Sequence, residues 1–296
     1  MAFESLKIQQ LSRAFDAPWP GPEGQIVTLS TPSLHVAVCP KDGARIVSLR
    51  HCGTELLRQY EPGRKAFQYG CFPMIPWVGR LRNGTISFAG KEYFLYQNKG
   101  KNAMHGMAHF DDWDCEIFPS KLVLTNEVRH PWPWPCKVVY TIELKENVLA
   151  LKLELESTHG KTFPVDAGWH PWFLKDPDKT GQAQLRLSFH ADSMCETGSD
   201  ELPTGRIMNP SAGPWDDCFN FDTSNAGAEL VYPGRRSIAI RSNCPALVVF
   251  DKQPDATCVN PMSGIPNGVN TDPHLIMPHM KMSAEMNLTF SEGPIF

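Results

Sequence analysis

Residues 148–156 alternate without interruption, with Leu149, Leu151, Leu153 and Leu155 in one set and Ala150, Lys152, Glu154 and Glu156 in the other. Successive side chains of an extended chain point to opposite faces, so this period of two requires a strand with one buried and one wet face. The segment 137–145 makes the clearest strand pair with it. Such strands need a second apolar layer, and the rest of the chain offers strands to build one. Leu34, Val36 and Val38 alternate with His35 and Ala37, and 44–49 returns after the Lys41-Asp42-Gly43 turn. Segments 85–89 and 92–96 flank Gly90-Lys91 as a hairpin. Further strands are expected at 183–191, 229–232, 237–241, 246–250, 257–259 and 283–290. The 26 prolines and 22 glycines supply turns, and no segment carries a helical period. The expected class is all-β, a large antiparallel sandwich. Without repeats or composition breaks, residues 1–296 read as a single domain, with 1–32 an N-terminal extension of no assigned role.

The bulk properties narrow the partners. A net charge of −4 and a pI near 6.2 argue against nucleic acid or an anionic membrane. No apolar run approaches the roughly 20 residues that cross a bilayer. The first residues lack a signal-peptide layout, and the nine cysteines are scattered without a C-x-x-C pair. The expectation is a cytoplasmic protein with reduced thiols.

Chemistry concentrates in a few stretches. In Gly168-Trp169-His170-Pro171-Trp172-Phe173, proline restricts the backbone before it, so His170 is held at a strand end. Trp169 and Trp172 offer flat apolar faces that suit the C–H face of a sugar ring or a protein core. Arg80, between a proline-rich turn and a strand, presents five fixed donors suited to hydroxyls or a carboxylate. His105 precedes Gly106, which lets another backbone or a ligand approach. His105 and His109 stand four apart, a metal-ligand spacing on a helix, but Gly106 and the lack of a third ligand motif argue against a metal.

The ordered set GRLRNGTISFAGKEYFL, NAMHG, GWHPWF, WDDCF, CVNP and SAEMNLTF, running from Ala44 to Phe290, resembles the aldose 1-epimerase (galactose mutarotase-like) family. The resemblance implies a β-supersandwich with a sugar cleft on one face of its main sheet. It implies a free hexose as partner, no metal or cofactor, and anomer interconversion by general acid/base catalysis. By motif, Arg80, His105, His170 and Asp216 match residues that surround the sugar, with His170 as the acid. Asp217 competes with Asp216 for its place. An imidazolium suits the acid because histidine titrates near neutrality. A monomer or homodimer is expected.

One position departs from the pattern. The family's base glutamate matches Asn260 in Cys258-Val259-Asn260-Pro261, and an amide cannot take a proton near pH 7. Three outcomes remain open: a non-catalytic sugar-binding protein, weakened catalysis aided by water, or a replacement base. Asp166 is the candidate replacement, since residues 166, 168 and 170 of one strand would share a face. A hexose-6-phosphate 1-epimerase is a further alternative, with Arg82, Lys99 and Lys101 as phosphate ligands.

Overall fold

The computed structural model describes residues 24–158, 160–181, 185–221 and 226–292. Two large antiparallel sheets dominate it. The eight-stranded sheet runs Asp114–Ile117, Lys121–Val128, Cys136–Lys145, Val148–Ser157, Lys281–Glu292, Arg236–Ser242, Ala226–Tyr232 and Arg186–Ser188. Its centre is the alternating segment read from the sequence. Leu149, Leu151, Leu153 and Leu155 are buried and face Leu144, Ile142, Tyr140 and Val138 on one neighbour. On the other side they face Leu288, Met286, Ala284 and Met282. Leucine, alanine, lysine and glutamate all favour helix, by at most ~0.7 kcal/mol per residue over ordinary alternatives. Burying one leucine contributes about 2 kcal/mol. Only the extended chain puts all four leucines on one face, so the pattern outweighs the propensity.

The eleven-stranded sheet follows the order Val27–Ser30, Leu34–Cys39, Arg45–His51, Cys71–Met74, Gly168–Leu174, Ala256–Met262, Ala246–Phe250, Asp216–Asn220, Ser193–Thr197 and Pro203–Met208, with Thr54–Glu55 paired to Arg45–His51. One face of this sheet packs on the leucine face of the other. Leu149, Leu151, Met286 and Leu288 meet Ile46, Leu49, Pro171 and Phe173 there. The opposite face is left to form a cleft.

The fold class is therefore as expected, and several bounds move. Val27–Ser30 pairs with Leu34–Cys39 as an edge strand, so part of the unassigned 1–32 stretch belongs to the main sheet, while residues 1–23 lie outside the described residues. The expected strand at 183–191 is realised over Arg186–Ser188, beside undescribed residues 182–184. Cys71–Met74, Lys121–Val128 and Ser193–Thr197 are additional strands. The first contains Pro73, whose missing N–H weakens the strand signal although it pairs with Trp169. Among the described residues no helix is long and apolar enough to cross a membrane.

Candidate active site

Register builds the cleft floor. Phe72 faces His170 across one strand pair. On the other side Gly168 faces Met262 and Trp172 faces Cys258, which sets His170 opposite Asn260. The same row continues from Asn260 to Val248 and from Val248 to Cys218. Two residues along, a second row joins Trp172, Cys258, Phe250 and Asp216. Because side chains alternate, His170 and Trp172 point into the cleft while Trp169, Pro171 and Phe173 point into the core.

The cleft has a volume of about 590 Å³ and is lined by Arg80, His105, His170, Trp172, Asp216 and Asn260 among others. His170 stacks on Phe72 at 4.9 Å between ring centroids and lies 5.5 Å from Trp172. The Trp172 indole donates to the Phe67 carbonyl at 2.7 Å, and the Arg58 guanidinium sits over its ring at 4.8 Å. His105 stands perpendicular to His170 at 4.9 Å. Its backbone takes a left-handed turn, φ 61°, with its N–H donating to the Gly79 carbonyl. At Gly106 a Cβ would lie 2.0 Å from the Ile75 carbonyl oxygen, so glycine is required there.

The electrostatics differ from those expected of a ready acid. Burial lowers the pKa of His170 to about 3, and nearby Arg45 adds to the effect. Burial likewise pushes His105 well below the usual histidine range, reinforced by His170, His109 and Arg80. Burial thus favours the neutral form of both rings, against the near-neutral titration that suits an imidazolium acid. No carboxylate faces His170 from the position of Asn260 to oppose that desolvation. Loss of solvent raises the Asp216 carboxyl above its usual range against the pull of Lys252 and Arg80. Several groups lining the cleft keep a polar atom without a partner: Nδ1 of His105, Nδ1 of His170, Oδ1 of Asn260 and Nε of Arg80.

The sequence matches the family model for aldose 1-epimerase over residues 25–281. The chain belongs to the aldose 1-epimerase family. The uncharacterised protein YphB of Escherichia coli (strain K12) is 25% identical over 269 residues, covering 82% of this chain and 89% of that one. Galactose mutarotase of Bos taurus is 26% identical over 152 residues, 47% of this chain and 43% of its own. The crystal structure of a putative aldose 1-epimerase from Escherichia coli K12 superposes with a TM-score of 0.78 at 23% identity, covering 90% of this chain and 99% of the other. In this member of the aldose 1-epimerase family the sheet register sets Asn260 and His170 face to face.

Two residues singled out in the sequence lie elsewhere. Trp169 is fully buried on the core face, because it is one residue out of phase with His170 and Trp172. Asp166 does not line the cleft. The strand begins only at Gly168, and before it the chain turns away, Ala167 exchanging hydrogen bonds with Ser263. The Asp166 carboxylate accepts from Ser263 Oγ at 2.8 Å and meets His274 Nδ1 at 3.1 Å. Gly264 is needed against it, since a Cβ there would lie 2.5 Å from Asp166 Oδ1. Asp166→Asn is expected to destabilise the fold by about 1–3 kcal/mol in urea unfolding, through the buried bonds it disturbs. Any mutarotation rate should be unchanged by it; a loss of rate in folded protein would return Asp166 to the candidate catalytic residues.

Other features were invisible in the sequence. Glu201, at φ 61° between the Ser193–Thr197 and Pro203–Met208 strands, reaches back to Arg80 Nη2 at 2.6 Å, and neighbouring Asp200 pairs with Arg82. His105 and His109 do not share a helical turn. His109 sits in a short 3₁₀ turn, Ala108–Phe110, fully buried and packed on Phe67, Phe72 and Phe110. Among the described residues, His51, Cys52 and Glu292 bring potential metal-ligating atoms within 4.8 Å of one another, and none of them lines the cleft.

Proposed function

We propose that this protein binds a free hexose in the cleft and interconverts its α and β anomers slowly. The cleft's unpartnered polar atoms beside the Trp172 ring carry this reading. A sugar presents an apolar C–H face with hydroxyls around its rim, and buried polar groups are costly until such hydroxyls pair with them. In the proposed reaction His170 protonates the ring oxygen, the C1 hydroxyl loses its proton, and the C1–O5 bond opens to the aldehyde. Rotation about C1–C2 and reclosure give the other anomer. His105 and Arg80 hold hydroxyls near the ring oxygen, and Asp216 accepts from those at the far side. Because His170 is held low, only its small imidazolium fraction donates the proton to the ring oxygen, and water takes the C1 hydroxyl proton that Asn260 cannot accept, so turnover is slow. The nine cysteines, all free, support a reducing, cytoplasmic setting.

Asn260 equally favours a second reading, a hexose-binding protein without turnover. The phosphosugar alternative draws on Lys99, which lines the cleft with Lys65 and Lys252, whereas Arg82 is held by Asp200 and Lys101 lies off the cleft. Polarimetry of freshly dissolved α-D-glucose and α-D-galactose separates these readings. The epimerase reading expects wild type to exceed the buffer rate and His170→Ala to remove the excess, a loss of about 10²-fold or more in the enzymatic rate. Calorimetric hexose binding without rate enhancement would leave the binding protein. Binding gained only with a 6-phosphate would favour the phosphosugar.

A further inference from the structure

The row of side chains that carries His170 and Asn260 ends in a pair of thiols. Ser193 faces Asn220 and Met194 faces Phe219 between two neighbouring strands, and Cys195 and Cys218 are the next residues along those strands. Facing residues on antiparallel strands have Cα atoms about 4.5 or 5.5 Å apart, with side chains on the same face. Disulfides span about 4.4–6.8 Å between Cα atoms, a range that includes facing residues on neighbouring strands. Both cysteines are free and lie in one buried cluster. The Asn220 amide adds a donor, its Nδ2 lying 3.6 Å from Cys195 Sγ.

These contacts make the two sulfurs unequal. Cys195 falls to about 7 under the influence of neighbouring Cys218 and of Asn220, while Cys218 rises well above the usual thiol range beside Cys195 and through burial. Exposure does not predict the same behaviour elsewhere. Cys52 is exposed, yet its bond to Glu292 raises its pKa and keeps it a thiol. Cys218 lines the sugar cleft, whereas Cys195 lines a second cavity of about 370 Å³, together with Ser193 and Asn220.

We propose that Cys195 and Cys218 form a reversible dithiol oxidation site whose reactant is a hydroperoxide admitted through that second cavity. The Cys195 thiolate attacks the terminal peroxide oxygen, the O–O bond breaks, and the leaving alkoxide takes a proton to depart as alcohol. Cys195 is then a sulfenic acid. The Cys218 sulfur attacks it, the S–O bond breaks, and the hydroxyl leaves as water with the Cys218 proton. Two thiols and one hydroperoxide thus give one disulfide, one alcohol and one water. The attacking thiol has a pKa near ambient pH and the resolving thiol already touches it, as such sites require.

The test uses the full-length protein exposed to tert-butyl hydroperoxide, with remaining thiols alkylated after unfolding and peptides mapped by mass. The expected result is a linked Cys195–Cys218 peptide lighter by two hydrogens, formed before any other cysteine is oxidised and reversed by dithiothreitol. In Cys218→Ser, dimedone should trap a sulfenic acid at Cys195, and in Cys195→Ser the linked peptide should be absent. Wild type without the linked peptide, or with another cysteine oxidised first, overturns the proposal whatever the folding of the variants. So does a folded Cys218→Ser protein that gives no dimedone adduct at Cys195.

Discussion

Asn260→Glu is expected to speed hexose mutarotation about 10²–10⁴-fold over wild type, the usual contribution of a positioned general base. The substitution acts twice. It supplies a carboxylate to take the C1 hydroxyl proton. It also puts an anion opposite His170, where the register aligns the two strands. An opposite charge within about 4–6 Å typically raises a histidine by 1–3 pKa units. That would lift His170 from about 3 towards the range in which an imidazolium can act at neutral pH. Acid and base are thus coupled, and losing the carboxylate weakens both. Three controls give the result its meaning in polarimetry. Asn260→Gln, of the same length but uncharged, should bring no gain. His170→Ala added to Asn260→Glu should remove the gain. The pH profile of Asn260→Glu should extend its active range to higher pH than wild type. If Asn260→Glu runs no faster than Asn260→Gln while both bind hexose, the proposed geometry of acid and base is wrong.

The second large effect concerns stability. His105, His109 and His170 are buried, with folded-state pKa values lowered by that burial, His170 to about 3. A histidine lowered on folding leaves the unfolded chain as the better proton acceptor below about pH 6.5. Its contribution is complete above that pH and is lost as the pH falls towards the folded value. Between pH 6.5 and 5 His170 alone removes on the order of 1.5 kcal/mol, and His105 and His109 act in the same direction. His274 works in the opposite sense, because Asp166 raises its pKa and its contribution is present below about 6.5. Calorimetry should therefore show Tm falling by at least a few degrees across this interval, at the few degrees per kcal/mol usual for a chain of this size. His109→Phe, among Phe67, Phe72 and Phe110, should make that slope shallower while leaving the cleft's polar groups in place. A Tm that stays flat from pH 6.5 to 5 would mean that these histidines are not neutral in the folded protein.

The sequence determined the parts of this protein that repeat or alternate. The leucine row at 149–155 specified a one-faced strand, because only an extended chain gathers residues of period two on one side. The ordered motifs specified the family and brought Arg80, His105, His170, Trp172, Asp216 and Asn260 forward as a set, and all six line the same cleft. What the tertiary structure decided depended on register and on where a strand begins. Trp169 and Trp172 look equivalent in the sequence, yet the phase of the strand sends one into the core and the other to the cleft. Asp166 shares parity with His170, but the strand starts at Gly168, and its carboxylate turns to Ser263 and His274. Glu201 gave no local signal, since its contact with Arg80 joins segments more than a hundred positions apart. The lowered pKa of His170 likewise came from burial and from Arg45 nearby, and a pKa is a property of surroundings that only the folded chain assembles.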